Sequence, residues 1–139
     1  MKTNRKANVT LWAVQAVLAL VFLSAGGMKL VMPIEVLVAQ SHMPGEFMRF
    51  IGVCEVLGAL GLILPGLTRI RAGLTPLAAY GLLIIMTGAT LITVARGPVA
   101  EAILPLVVGT LAAVVARGRR EWASAPTRSY QQPILRKAA

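Results

Sequence analysis

Residues 47–64 read FMRFIGVCEVLGALGLIL, and this stretch decides the class of the fold. It comes close to the roughly 20 residues that a helix needs to cross a hydrocarbon core of about 30 Å. Only Arg49 and Glu55 in it carry charge. Three more stretches of the same kind lie around it, about residues 9–27, 73–94 and 99–116. Pro65 and Gly66 close the central stretch, and Arg96-Gly97-Pro98 divides the last two. Both separators are short, which favours antiparallel neighbours.

Composition supports the same class. Of 139 residues, 57% are hydrophobic and 14% charged, against about 25% charged in an average soluble chain. A soluble fold would lack the polar surface to cover itself. The sequence therefore predicts an all-α integral membrane four-helix bundle. Residues 1–120 form one four-span domain and residues 121–139 a basic cytoplasmic tail.

The net charge of +9 raises nucleic acid as a partner, but the basic residues avoid the apolar runs and gather at the ends of spans. The charge pattern is that of a membrane protein, with the lipid bilayer as its partner and no nucleic acid. With four crossings, the N-terminus, the Arg69/Arg71 turn and the tail share one side and hold eleven of the fourteen basic residues. Lys29, Arg49 and Arg96 fall on the other side, offset by Glu35, Glu46 and Glu101. The positive-inside rule makes the first side cytoplasmic, so the expected location is the cytoplasmic membrane with both termini inside. In the alternative, the first stretch is a cleaved signal peptide, since Lys2, Arg5 and Lys6 precede an apolar run that ends in Ser24-Ala25-Gly26-Gly27. That would leave three spans and put the charge bias out of register.

The connection from Leu30 to Glu46 reads as more than a loop. Pro33 followed by IEVLVAQ suggests a short helix, interfacial or re-entrant, between the first two long helices. Pro76 falls in the first turn of the third span, and Pro105 lies deeper in the fourth, where a kink is expected.

Glu55 is the most informative side chain. It lies about eight positions into its span, roughly 12 Å below the outer end, where an ionisable group is costly and usually faces a partner inside the bundle. Its helical neighbours Gly52, Gly58 and Ala59 are small and admit another backbone. On the first span, Gln15, Phe22, Gly26 and Lys29 share a face. Lys29 can reach Glu55 by extending along its helix, with Arg49 as a competing partner. His42, in the outer connection, lies where Lys29 and Arg49 should emerge. The candidate polar binding site is thus Lys29, Glu55, Arg49 and His42, and the small interface residues are Gly26, Gly52, Gly58 and Ala59. For Glu55 the choice stays open between an ion pair that fixes helix register and a proton-handling or ligand-binding carboxylate. For His42 the plain alternative is an exposed loop histidine.

A single cysteine, Cys54, excludes an intramolecular disulfide and is read as a small packing residue, and one His leaves no zinc site of the usual kind. No metal site, phosphate loop or Ser/His/Asp arrangement is present in the sequence. Tyr80, Thr87 and Thr90 form a mild polar stripe suited to interhelical hydrogen bonds.

The run from Phe22 to Leu30, FLSAGGMKL, and the run from Arg49 to Pro65, RFIGVCEVLGALGLILP, resemble the DoxX-like family of small four-span membrane proteins. The likeness spans about Val9 to Ala116. It implies a helical bundle in the cytoplasmic membrane with Lys29 and Glu55 as characteristic polar positions. Some members resemble or serve as the small subunit of a thiosulfate:quinone oxidoreductase, and others are linked to membrane redox complexes. Distant eukaryotic relatives help membrane proteins assemble. The resemblance implies an accessory or assembly subunit of a larger membrane complex, with other membrane subunits or further copies of itself as partners. The alternative is a subunit binding a quinone or small lipophile, quinone being the one cofactor the reading admits. Transport ranks third, and the chain alone is not expected to be an enzyme.

Overall fold

The computed structural model describes residues 5–121, and among them it is helical throughout apart from short turns. Five α-helices follow one another: α1 (Arg5–Val31), α2 (Ile34–Ser41), α3 (Gly45–Thr68), α4 (Leu74–Arg96) and α5 (Ile103–Gly118). A 3-10 turn, Val99–Ala102, leads into α5 and extends it to a fourth apolar span, Val99–Gly118. Four helices are long and apolar enough to cross a membrane. The expected tail from residue 122 onward lies outside the described residues.

Prolines set the starts of α2 and α3. Pro33 and Pro44 stand immediately before α2 and α3 with extended ψ, where the missing N–H breaks no helical bond. His42 ends α2 in the left-handed region, φ 54°, and its N–H bonds to the Val38 carbonyl at 2.9 Å.

Two prolines depart from the sequence reading. Pro65 does not close α3, which runs on through it to Thr68 and ends at Arg69, φ 55°. A proline removes one donor and holds a helical φ, so the last turn continues. The Thr68 hydroxyl bonds back to the Leu64 carbonyl at 2.8 Å within that turn. Pro105 is not deep in a helix either. The 3-10 turn takes up the first residues of the span, which places Pro105 in the first turn of α5, where no intrahelical donor is required.

Each long helix packs on the next: α1 on α3, α3 on α4, and α4 on α5. Lighter contact between α5 and α1 completes the ring. Leu18, Phe22, Ala59, Leu62, Leu82, Ala112 and Val115 form the centre of the core. The outer faces carry the opposite of a soluble surface, with Leu20, Leu57, Ile84 and Leu104 each more than 60% exposed. Such side chains are solvated by lipid tails, since water would make so large an apolar exterior untenable.

The short α2 rests on the start of α3 through buried Leu37 and through Ile34, whose side chain covers Gly45. The core is not evenly distributed along the bundle. From Thr87 to Glu101 no residue is fully buried, so the end of α4 and the turn into α5 stand clear of the tight packing of α1 on α3.

Candidate functional site

The tightest helix crossing positions the candidate site. A Cβ added to Gly26 would lie 2.7 Å from the Gly52 carbonyl oxygen and 3.0 Å from the Glu55 Cβ. Only glycine allows α1 and α3 to approach to this distance. Gly58 meets α4 in the same way, its space filled by the Leu82 side chain, and Ala59 is buried in the core.

That crossing brings Lys29 to Glu55. The ammonium donates to Glu55 Oε2 at 2.8 Å, with the lysine side chain 22% exposed and the glutamate 4%. The carboxylate is thus the dry end of the pair and the ammonium the wet end. Burying a charge in hydrocarbon is tolerated when an opposite charge of good geometry accompanies it.

Arg49 is not the competing partner. Its guanidinium donates to the carbonyls of Leu30 and Met32, the latter at 2.9 Å. These groups lie at the end of α1, where carbonyls lack helical donors and the dipole favours a cation. Arg49 and Glu55 are six residues apart, about 120° around the helix, so the two side chains serve different faces.

Beside the ion pair lies an open cavity of about 700 Å³ between α3 and α4. Ile51, Ile84, Ile85, Met86, Ala89 and Ile92 form its apolar walls, and Lys29 and Glu55 present the polar groups at depth. His42, Ser41, Arg96 and Glu101 line it at the outer ends of the helices. Pockets for small ligands have this size and this ratio of apolar wall to a few convergent polar groups. Of the four site residues expected from sequence, Lys29, Glu55 and His42 share the cavity and Arg49 does not. The contribution of α4 was not foreseen. Thr87 and Thr90, expected to bond between helices, donate instead to carbonyls of their own helix, those of Leu83 and Met86, both at 2.8 Å.

A second polar cluster lies at the other end. Arg119, one of the basic residues that follow the fourth apolar stretch, is 2% exposed. Its Nε donates to Gln15 Oε1 at 2.7 Å and its Nη1 to Asn8 Oδ1 at 2.6 Å, while the guanidinium stands 5.5 Å over the Trp12 ring. Gln15 passes the chain on, donating to the Leu62 carbonyl at 2.6 Å. Burial lowers the Arg119 pKa from its ordinary value. Gln15 on a buried helix face was the signal that a polar partner had to exist.

The family model described as the DoxX-like family matches residues 13–115, which takes in both the ion pair and the cavity walls. No curated protein and no solved structure matches the chain.

Proposed function

Because the chain belongs to the DoxX-like family, we propose that it is an integral membrane subunit that binds a small lipophile with a polar head group in the outer cavity. The observation that carries this reading is the cavity itself: about 700 Å³, walled by Ile and Met, with the Lys29–Glu55 pair inside it. A ligand with an aromatic or alkyl body and one or two polar oxygens, a quinone among them, matches those walls and that pair. The ammonium has two further protons beyond the one given to Glu55, and it is the exposed end of the pair. A ligand oxygen accepts from Lys29 while Glu55 remains the counter-ion.

On this reading the subunit is accessory. Lys29 serves as the cation that holds the ligand's oxygen, and any redox step is assigned to a partner subunit. The charge distribution supports placement in the cytoplasmic membrane with both termini inside and the cavity opening toward the opposite face.

Purification in mild detergent, with mass spectrometry of protein and lipid components, tests both parts. A retained lipophile and a stoichiometric protein partner are expected. A Glu55→Gln variant that keeps full ligand binding and full complex activity would overturn the site. A chain that purifies alone would overturn the accessory role.

A further inference from the structure

At the end of the bundle where α1 begins and α5 ends, a cleft of about 840 Å³ opens between the start of α4 and the end of α5. It lies apart from the outer cavity and shares no residue with it. Its lining is graded in depth. Arg117, Arg120 and Glu121 stand at the end of α5, whereas Pro76, Leu77 and Tyr80 run along the first two turns of α4. From Leu74, where α4 begins, to Tyr80 is six residues, about 9 Å toward the membrane centre. Leu77 is 64% and Tyr80 42% exposed, so the deeper wall is open to whatever occupies the cleft.

The end of α4 contributes little to anion recognition. The N–H groups of Leu74 and Thr75 already bond to the Arg71 and Ala72 carbonyls at 2.8 and 3.2 Å, and Pro76 has no N–H. Among the described residues, charge in the cleft comes from Arg117, Arg120 and Glu121, and Arg69 and Arg71 occupy the turn just before α4. A basic rim that continues into an apolar, tyrosine-bearing wall at hydrocarbon depth matches an amphiphile with an anionic head group. A free phosphate would leave the deeper half empty.

We propose that this cleft binds an anionic phospholipid, its phosphate held by Arg117 and Arg120 and its glycerol and upper acyl chain lying along Tyr80, Leu77 and Pro76. Guanidinium groups take phosphate oxygens in paired hydrogen bonds, and basic sites between transmembrane helices near the membrane surface hold such head groups.

The test is native mass spectrometry of the full chain in mild detergent, titrated separately with phosphatidylglycerol and phosphatidylcholine. The intact protein should retain phosphatidylglycerol in preference. Each surface arginine near the head group contributes about 1 kcal/mol, so the Arg117→Gln/Arg120→Gln pair should lower affinity about 30-fold. The charge-matched Arg69→Gln/Arg71→Gln pair should lower it much less, and Leu77→Trp, which fills the apolar half and leaves the arginines, should also weaken binding. Excess inorganic phosphate should not displace the lipid. Equal retention of the two lipids, equal losses in the two arginine pairs, an unaffected Leu77→Trp variant, or displacement by inorganic phosphate would each overturn the proposal.

Discussion

Lys29 and Glu55 form an unequal pair: at 2.8 Å separation both line the cavity, but the ammonium side chain is 22% exposed and the carboxylate side chain only 4%. Loss of the lysine therefore leaves an uncompensated charge with almost no exposure, whereas loss of the glutamate leaves a cation that water in the cavity still solvates. Lys29→Met should destabilise the protein by about 3 kcal/mol and Glu55→Gln by about 1 kcal/mol. The double variant should recover part of the Lys29→Met loss. Thermal unfolding in detergent measures all three, and equal losses in the single variants would show that the pair is symmetric.

The helix crossing beneath that pair makes a second contrast. Gly26→Ala drives a methyl group to 2.7 Å from the Gly52 carbonyl, which is rigid backbone, and should cost about 1–3 kcal/mol. Gly27, its neighbour, has nothing within 4 Å of the same added atom, so Gly27→Ala should be neutral or slightly stabilising. Matched unfolding scans check the pair, and similar midpoints would refute so close an approach of α1 and α3.

The cavity can be filled without touching its ions. Gly88 lines it and has open space around its Cα, so Gly88→Leu should reduce lipophile retention about tenfold with little change in stability. Co-purified ligand, quantified against protein, provides the readout. Undiminished retention would place the lipophile elsewhere.

Arg119 supplies a fourth test. Neither Lys nor Met reproduces a guanidinium that bonds to Gln15 and Asn8 while covering Trp12. Arg119→Lys should lower stability by about 2 kcal/mol, while Arg69→Lys, at an exposed position, should change it by less than about 0.5 kcal/mol. Equal effects of the two would mean that Arg119 is solvated after all.

Orientation is open to a clean chemical experiment because Cys54 is the only cysteine. In a Cys54→Ala background, Arg69→Cys should be labelled by a membrane-impermeant thiol reagent only after the cytoplasmic face is exposed. Gln40→Cys should be labelled from the opposite face. The reverse pattern would invert the topology.

How far the sequence could be read varied with the physical cost of each feature. The spans were legible because apolar runs of this length have few other uses, and the Lys29–Glu55 pair because an ionisable group in hydrocarbon demands a partner. The cavity was hidden, since its α4 wall is made of residues that carry no charge of their own except Arg96. Arg119 was hidden for the opposite reason: in the run Arg117-Gly118-Arg119-Arg120 a buried cation looks the same as a solvated one. Arg49 was misjudged because its reach was considered without its angular position on α3. The ends of α3 and α5 moved because a proline constrains one residue and one bond, while the helix around it is set by packing.

The bond between Arg119 and the first helix also orders events in time. Asn8 and Gln15 are synthesised more than a hundred residues before the guanidinium they bind. Until then the Gln15 amide has the Leu62 carbonyl but no cation, and α1 is tethered to α3 along one side only. Completion of the ring therefore waits for α5 to be inserted, and a chain ending before residue 119 would hold all four apolar spans with α1 and α5 still unjoined at that end.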